Sequence, residues 1–161
     1  MSTSAGNKMK EKIYIGCDDA AIDYKKAFKE LLVKLGYEPV DVGVNDTDDH
    51  TYYPYIAERL SQEIQQDPDH RRGILICGTG IGMCISANKF KGVRAAVVHD
   101  CFAGERSRLS NDCNVFCLGA RVIGLESAKK LLTEWLTLGH AVESSQPKVH
   151  AIDIIEGENF K

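Results

Sequence analysis

The sequence predicts an α/β fold, a doubly wound three-layer α/β/α sandwich around a mostly parallel, five-stranded sheet. Three observations predict it. Short β-branched apolar runs alternate with stretches of helical periodicity along the whole chain. Several of the runs are apolar at every position, as strands are when both sheet faces are covered. No repeat, low-complexity segment or linker divides the 161 residues, a length that suits one domain with one core.

Residues 1–11 read as a flexible polar tail and residues 12–161 as the single domain. Lys12–Cys17 (KIYIGC) is the first strand, interrupted by Asp18-Asp19. Ala20–Leu35 places Phe28, Leu31, Leu32 and Leu35 at helical spacing, with Gly36 as a stop. Tyr37–Val44 is a second strand, which Pro39 pushes to a sheet edge because it lacks an N–H. A polar loop, Asn45–Tyr53, leads to a helix over Tyr55–Gln66. Gly73–Cys77 (GILIC) is an apolar strand, Gly78–Gly82 (GTGIG) a tight loop, and Met83–Phe90 a helix. Val93–His99 is a strand, Phe102–Leu109 a short helix, Asn114–Leu118 a strand and Leu125–Leu138 an amphipathic helix. Val149–Ile155 suggests a last helix whose partner the pattern leaves open. In such a sheet, ligands bind beyond the carboxyl ends of the strands. That directs attention to Asp18-Asp19, Cys77–Gly82, His99-Asp100 and the segment before Asn114.

Composition removes several classes of function. The formal net charge is −3, so no basic footprint points to nucleic acid. No apolar run approaches a membrane span, and no apolar stretch near Met1 reads as a signal peptide. The six cysteines form no CxxC pair and several lie inside apolar runs, so reduced thiols in a cytoplasmic protein are expected rather than disulfides.

The chemistry concentrates at Cys77, which ends a strand and opens the glycine loop. Backbone N–H groups at a helix N-terminus are free and carry positive dipole charge, and glycines let a ligand approach them. Thiolates are favoured in the same place. A thiolate base beside an anion hole is what enolisation next to a carbonyl requires, each well-placed oxyanion donor being worth ~3–4 kcal/mol. Thr79 adds a hydroxyl. Two other readings stay open at this point. Cys77 can be a core residue in a tight turn. Alternatively, Gly78, Gly80 and Gly82 with Asp100 can be a dinucleotide fingerprint, although Met83 stands where its third glycine belongs.

The run GILICGTGIGMCISANKFKGVRAA, from Gly73 to Ala96, resembles the signature of the ribose-5-phosphate isomerase B family, which also includes galactose-6-phosphate isomerase subunits. GCD at Gly16–Asp18, Tyr53-Pro54, SNDCNV at Ser110–Val115 and LGARVIG at Leu118–Gly124 extend the likeness to nearly the whole domain. The resemblance implies a Rossmann-like sandwich and a homodimer, or a pair of dimers, with active sites between subunits, a sugar phosphate as substrate and no metal or organic cofactor. It implies Cys77 as catalytic base, assisted by Thr79. It places an anion hole at the N–H groups of Gly78, Gly80, Ile81 and Gly82, with Asn111 from the other subunit nearby. It puts Asp18 and Tyr53 in the substrate pocket and Arg121 on the phosphate. A catalytically silent sugar-phosphate binder is the alternative within the same resemblance.

Three departures from the family pattern bear on the substrate. The histidine credited with opening the sugar ring is Ser110 here, the usual Asp-His pair is Asp18-Asp19, and the C-terminal phosphate arginines are replaced near Ser144 and Lys148. A tetrose 4-phosphate cannot close a furanose ring, because its O4 carries the phosphate, so it needs no ring opener. General acid–base help is worth ~10²–10⁴ in rate, and its loss would burden a cyclic substrate. The chain also resembles the family branch tied to erythritol and tetrose-phosphate metabolism. Erythrose 4-phosphate/erythrulose 4-phosphate is therefore expected alongside the pentose pair ribose 5-phosphate/ribulose 5-phosphate. In the pentose case His99 would be a candidate ring opener; otherwise it is a hydrogen-bonded structural histidine. Asp19 either meets a sugar hydroxyl or caps the helix near Ala20. Lys148 either neutralises phosphate as a point charge or is a solvated surface lysine.

Overall fold

Lys12–Cys17 and Arg72–Cys77 are buried along almost their whole length, and they lie side by side inside the sheet, where both faces are covered. The computed structural model describes residues 9–160. In chain order the elements are β1 (Lys12–Cys17), α1 (Ile22–Lys34), β2 (Glu38–Asp41), α2 (Tyr53–Gln66), β3 (Arg72–Cys77), α3 (Ile81–Ala87), β4 (Ala95–Val97), α4 (Cys101–Leu109), β5 (Val115–Gly119), α5 (Leu125–Thr137), a 3₁₀ turn (Glu143–Ser145) and α6 (Gln146–Asn159). The five strands run β2-β1-β3-β5-β4 and every pairing is parallel.

Strand side chains alternate between faces, so each strand feeds two cores. Ile13, Ile15, Ile74, Ile76, Phe116 and Leu118 pack with Phe28 and Leu32 of α1 and with Leu132 and Trp135 of α5. Tyr14, Leu75, Cys77 and Cys117 pack on the other face with Ile56, Leu60 and Ile64 of α2 and Met83 of α3. From β1 the chain first adds β2 on one side and then crosses to β3 on the other, so the order reverses between β1 and β3. Their carboxyl ends open the crevice where ligands of such sheets bind.

Several predicted bounds shift for physical reasons. Pro39 does stand on an edge strand, but β2 is only four residues long. Val42 and Val44 still donate to Ile15 O and Cys17 O as the chain leaves the edge. The helix expected over Met83–Phe90 starts earlier, at Ile81, so Ile81 and Gly82 belong to its first turn. The strand expected over Val93–His99 narrows to three residues, because it has a neighbour on one side only. Most of the tail expected over residues 1–11 lies outside the described residues, whereas Glu11 is tied down by a two-pronged ion pair with Arg72 at 2.7 and 2.8 Å. The last helix, α6, lies along the amino edge of the sheet, where Asp153 meets Arg94 and Glu156 accepts from Gly92 N–H.

One buried cation sets the path of the chain after β2. Lys25 is 2% exposed, and its ammonium donates to Asp41 Oδ1 at 2.9 Å, to Val44 O and to Asn45 Oδ1 at 2.6 Å. Burial alone would raise the Asp41 pKa, but Lys29, Lys25 and the Gly43 N–H together hold its carboxyl below the usual range. Lys25→Met leaves Val44 O and Asn45 without their donor. It is expected to cost on the order of 2–3 kcal/mol in urea unfolding. A loss under 0.5 kcal/mol would mean that the cation does not hold this loop.

Candidate active site

The glycine loop lies against the end of β5 with backbone touching backbone. Gly80 has φ +78°, and a Cβ there would lie 2.8 Å from the Leu118 carbonyl carbon. A Cβ on Gly119 would lie 2.6 Å from the Thr79 backbone. Two glycines facing each other therefore allow the approach, and an L side chain at either place would wedge it open. Ladder bonds lock the same region, with Ala120 N donating to Cys77 O at 2.8 Å and Arg121 N to Gly78 O at 3.0 Å.

Cys77 ends β3 at the floor of this loop, 5% exposed, and its Sγ accepts from Gly80 N–H at 3.1 Å. Thr79 and Ile81 are exposed at the loop tip, where Thr79 Oγ1 accepts from Ile81 N–H at 3.3 Å. Two side chains from other elements lie on the loop because glycines leave room for them. The Arg121 guanidinium lies over Gly78, where a Cβ would stand 3.4 Å from Nη1. The Tyr53 ring, at the start of α2, lies against Gly82, where a Cβ would stand 2.5 Å from Cε2. Asp18 follows β1 on the same edge; burial raises its pKa and Asp19 adds to that, while the Ala20 N–H and the charge of Arg121 oppose the rise. Cys77, Thr79, Gly78, Gly80, Ile81, Gly82, Asp18, Tyr53 and Arg121 thus share the carboxyl edge.

Asp19 does not cap α1. The N-cap position is Ala21, with no side-chain bond, and it is Asp18 Oδ1 that accepts from Ala20 N–H at 3.1 Å. Asp19 instead meets Nδ1 of His50 at 2.8 Å on the exposed rim. His50 carries no periodic or motif signal in the sequence; only the meeting of two loops 31 residues apart reveals it. Asp100 is an N-cap, accepting from Ala103 N–H at 2.7 Å, which gives it a structural task in place of the ribose contact of a dinucleotide site. His99 also lies at the carboxyl edge, with Nε2 accepting from Gly119 N–H at 2.9 Å.

Three expected residues are elsewhere in the chain. Helix α4 starts after β4 and runs back to the start of β5, so its end lies roughly 13 Å away, at the amino edge. Ser110, Asn111 and, on α6, Lys148 belong to that edge, remote from Cys77 of the same chain. Asn111 and Lys148 are exposed there, while Ser110 accepts weakly from Arg106 at 3.4 Å. A cavity of about 620 Å³ also sits at the amino edge, lined by Arg72, Arg94, Arg108, Asp112 and Glu156 among others. Around Cys77 the loop tip and the rim, Thr79, Ile81, Asp19 and His50, are exposed. Among the described residues, no group of three or more His, Cys, Asp or Glu converges as a metal site, and no helix is long and apolar enough to cross a membrane.

A sequence model of the ribose/galactose isomerase family matches residues 13–152. A D-erythrulose-4-phosphate isomerase of Pectobacterium atrosepticum is 45% identical over 144 residues, 89% of this chain and 94% of that one. A ribose-5-P isomerase B of Listeria innocua is 42% identical, covering 92% and 99%. The crystal structure of ribose-5-phosphate isomerase B from Mycoplasma genitalium with bound ribulose-5-phosphate superposes with a TM-score of 0.88 at 32% identity, covering 94% of this chain and 99% of that one.

The remaining thiols differ sharply among themselves. The Cys117 thiol beside it brings half-buried Cys84 down to about 7 against the opposing effect of burial, whereas burial pushes Cys17 up to about 12 and Cys113 up to about 11. Fully buried Cys117 lies well above the ordinary thiol value, again through burial. At pH 7.5 iodoacetamide is expected to alkylate Cys84 in the folded protein while Cys17, Cys113 and Cys117 stay protected. Mass spectrometric mapping reads the outcome, and equal labelling of the four would contradict the structure.

Proposed function

Because this chain belongs to the ribose/galactose isomerase family, we propose that its substrate is a tetrose 4-phosphate, interconverted between erythrose 4-phosphate and erythrulose 4-phosphate. The enzyme is an aldose–ketose isomerase of a small phosphorylated sugar, as its relatives are. The observation that carries the substrate reading is Ser110, a side chain that cannot serve as the acid–base group for opening a furanose. A tetrose 4-phosphate has no such ring to open. The likeness to a D-erythrulose-4-phosphate isomerase supports this reading, and the likeness to ribose-5-P isomerase B keeps ribose 5-phosphate as the competing substrate. His99 offers little help to the pentose reading, since its Nε2 is already engaged by Gly119.

In this reading the Cys77 thiolate takes the proton from the carbon next to the carbonyl. The C–H electron pair becomes the enediol double bond and the carbonyl pair moves onto oxygen. The N–H groups of Gly78 and Gly82 face the resulting oxyanion, joined by those of Gly80 and Ile81 once these turn from Cys77 Sγ and Thr79 Oγ1 toward it. Thr79 assists proton movement between the two sugar oxygens, and Cys77 returns its proton to the neighbouring carbon. Nothing is oxidised or reduced overall. Arg121 holds the phosphate from its seat over Gly78, and Asp18 and Tyr53 meet the sugar hydroxyls.

The open rim is closed, we infer, by a second copy. Asn111 of the partner subunit then completes the anion hole, and Lys148 of the partner subunit faces the phosphate. The exposed apolar residues Ile152, Ile154 and Ile155 on α6 support burial against a partner. Dimers can pair further into tetramers. Six free cysteines suit the reducing cytoplasm.

Purified enzyme assayed with both sugars is expected to favour erythrulose 4-phosphate over ribose 5-phosphate by ~10² or more in kcat/KM. The reverse ratio defeats the tetrose reading. Cys77→Ser should cut proton exchange at the carbon next to the carbonyl by ~10²–10⁴; no exchange even in the unaltered enzyme would mark a silent binder. Arg121→Ala should raise KM roughly ten- to a hundredfold, and an unchanged KM would remove Arg121 from the phosphate.

A further inference from the structure

Gly119 lacks a strand neighbour on one side. Strand β4 ends at Val97, and the last backbone bond between these two chain segments runs from Val98 N to Cys117 O. The Gly119 N–H, two residues further along, donates instead to the imidazole of His99 at 2.9 Å. We propose that His99 is a positioning residue: its imidazole stands in for the missing stretch of strand and holds Gly119 against the Thr79–Gly80 backbone, and so keeps the anion-binding loop in shape. The inference rests on the enediolate reading above for its effect on turnover, but the hydrogen bond itself is testable without it.

The geometry dictates the protonation state. A nitrogen that accepts from an N–H must keep its lone pair, so the ring proton of His99 sits on Nδ1 and the ring is neutral. The surroundings agree: burial holds His99 below the ordinary imidazole value, and the charge acting against that is the adjacent Asp100, itself occupied in capping α4. Gly119 in turn packs against the Thr79 backbone of the loop. Protonation of Nε2 would set one N–H against another. The contribution is thus complete above the ordinary imidazole value of about 6.5 and is lost as pH falls through the lower value of the folded state.

Position decides what the contact can influence. Gly119 pairs with Cys77 in the sheet register, and Ala120 and Arg121 bond back to Cys77 O and Gly78 O. A shift of Gly119 is transmitted to the base, to the loop amides and to Arg121 together. Small misplacements of oxyanion donors lower kcat more than they raise KM, because the donors matter most when charge develops.

Long-range ¹H–¹⁵N correlation on the full-length protein is expected to show His99 as the Nδ1–H tautomer at pH 7.5. His99→Gln presents an amide oxygen the same number of bonds from Cα as Nε2, and it does not titrate. His99→Leu fills the space without an acceptor. His99→Leu is expected to lower kcat on the order of 10–10²-fold with KM within about threefold. His99→Gln should recover most of kcat, and the ratio of its kcat to that of the unaltered enzyme should rise as pH falls below the ordinary imidazole value of about 6.5. A ring protonated on Nε2 at pH 7.5, or kcat retained in His99→Leu, overturns the proposal. If neither sugar phosphate is turned over, the isomerase reading fails while the tautomer still decides the hydrogen bond.

Discussion

The close approach between the Thr79–Gly80 backbone and the end of β5 governs the carboxyl edge of this molecule. In this approach a Cβ on either side would collide with the facing backbone, and Gly80 and Gly119 remove both obstacles together. Everything the site uses follows from that contact. It brings the loop amides over the end of β3, it leaves Gly78 open for the Arg121 guanidinium, and it starts α3 close enough for Gly82 to receive the Tyr53 ring. The sulfur of Cys77 is then gripped by the Gly80 N–H instead of lying loose in the core. The contact costs conformational entropy at two glycines, which the ladder bonds of Ala120 and Arg121 offset in the folded chain.

The amino edge obeys a different logic. There the structure is held by charge, with Glu11 on Arg72, Asp112 and Asp153 on Arg94, and Arg108 buried over the Trp135 ring at 5.3 Å. Ser110, Asn111 and α6 are carried by this rigid frame. The catalytic arrangement proposed above, divided between the two edges, would need a second copy, since the length of α4 separates its halves within one chain. Rigid supports on both halves suit such a division, because precise donors must be held by packed neighbours.

The departures from the family pattern also acquire a physical sense. Two adjacent aspartates beside a bound phosphate would repel it, yet only Asp18 lies close to Arg121, while Asp19 turns outward to His50. The imidazole of His99, a candidate for sugar chemistry, is spent on the backbone of β5. Asp100, which suggested a dinucleotide fingerprint, is a helix cap.

Periodicity and turn chemistry by themselves determined the layers, the five strands, the edge place of Pro39 and the loop that follows Cys77, since these depend on residues near one another in the chain. The likeness of a long central motif determined the reaction class. The ends of elements were less legible: α3 begins inside the glycine loop because Gly80 can turn left-handed, and β4 stops early because it has one neighbour only. Tertiary structure alone decided the contacts made across long separations. Lys25 reaching Val44, Asp19 meeting His50, His99 holding Gly119 and Gly119 admitting Thr79 leave no trace in local pattern. The reason is that hydrophobic period reports which face a residue shows to the core, whereas a hydrogen bond or a backbone contact depends on where two distant segments finish after the sheet has closed.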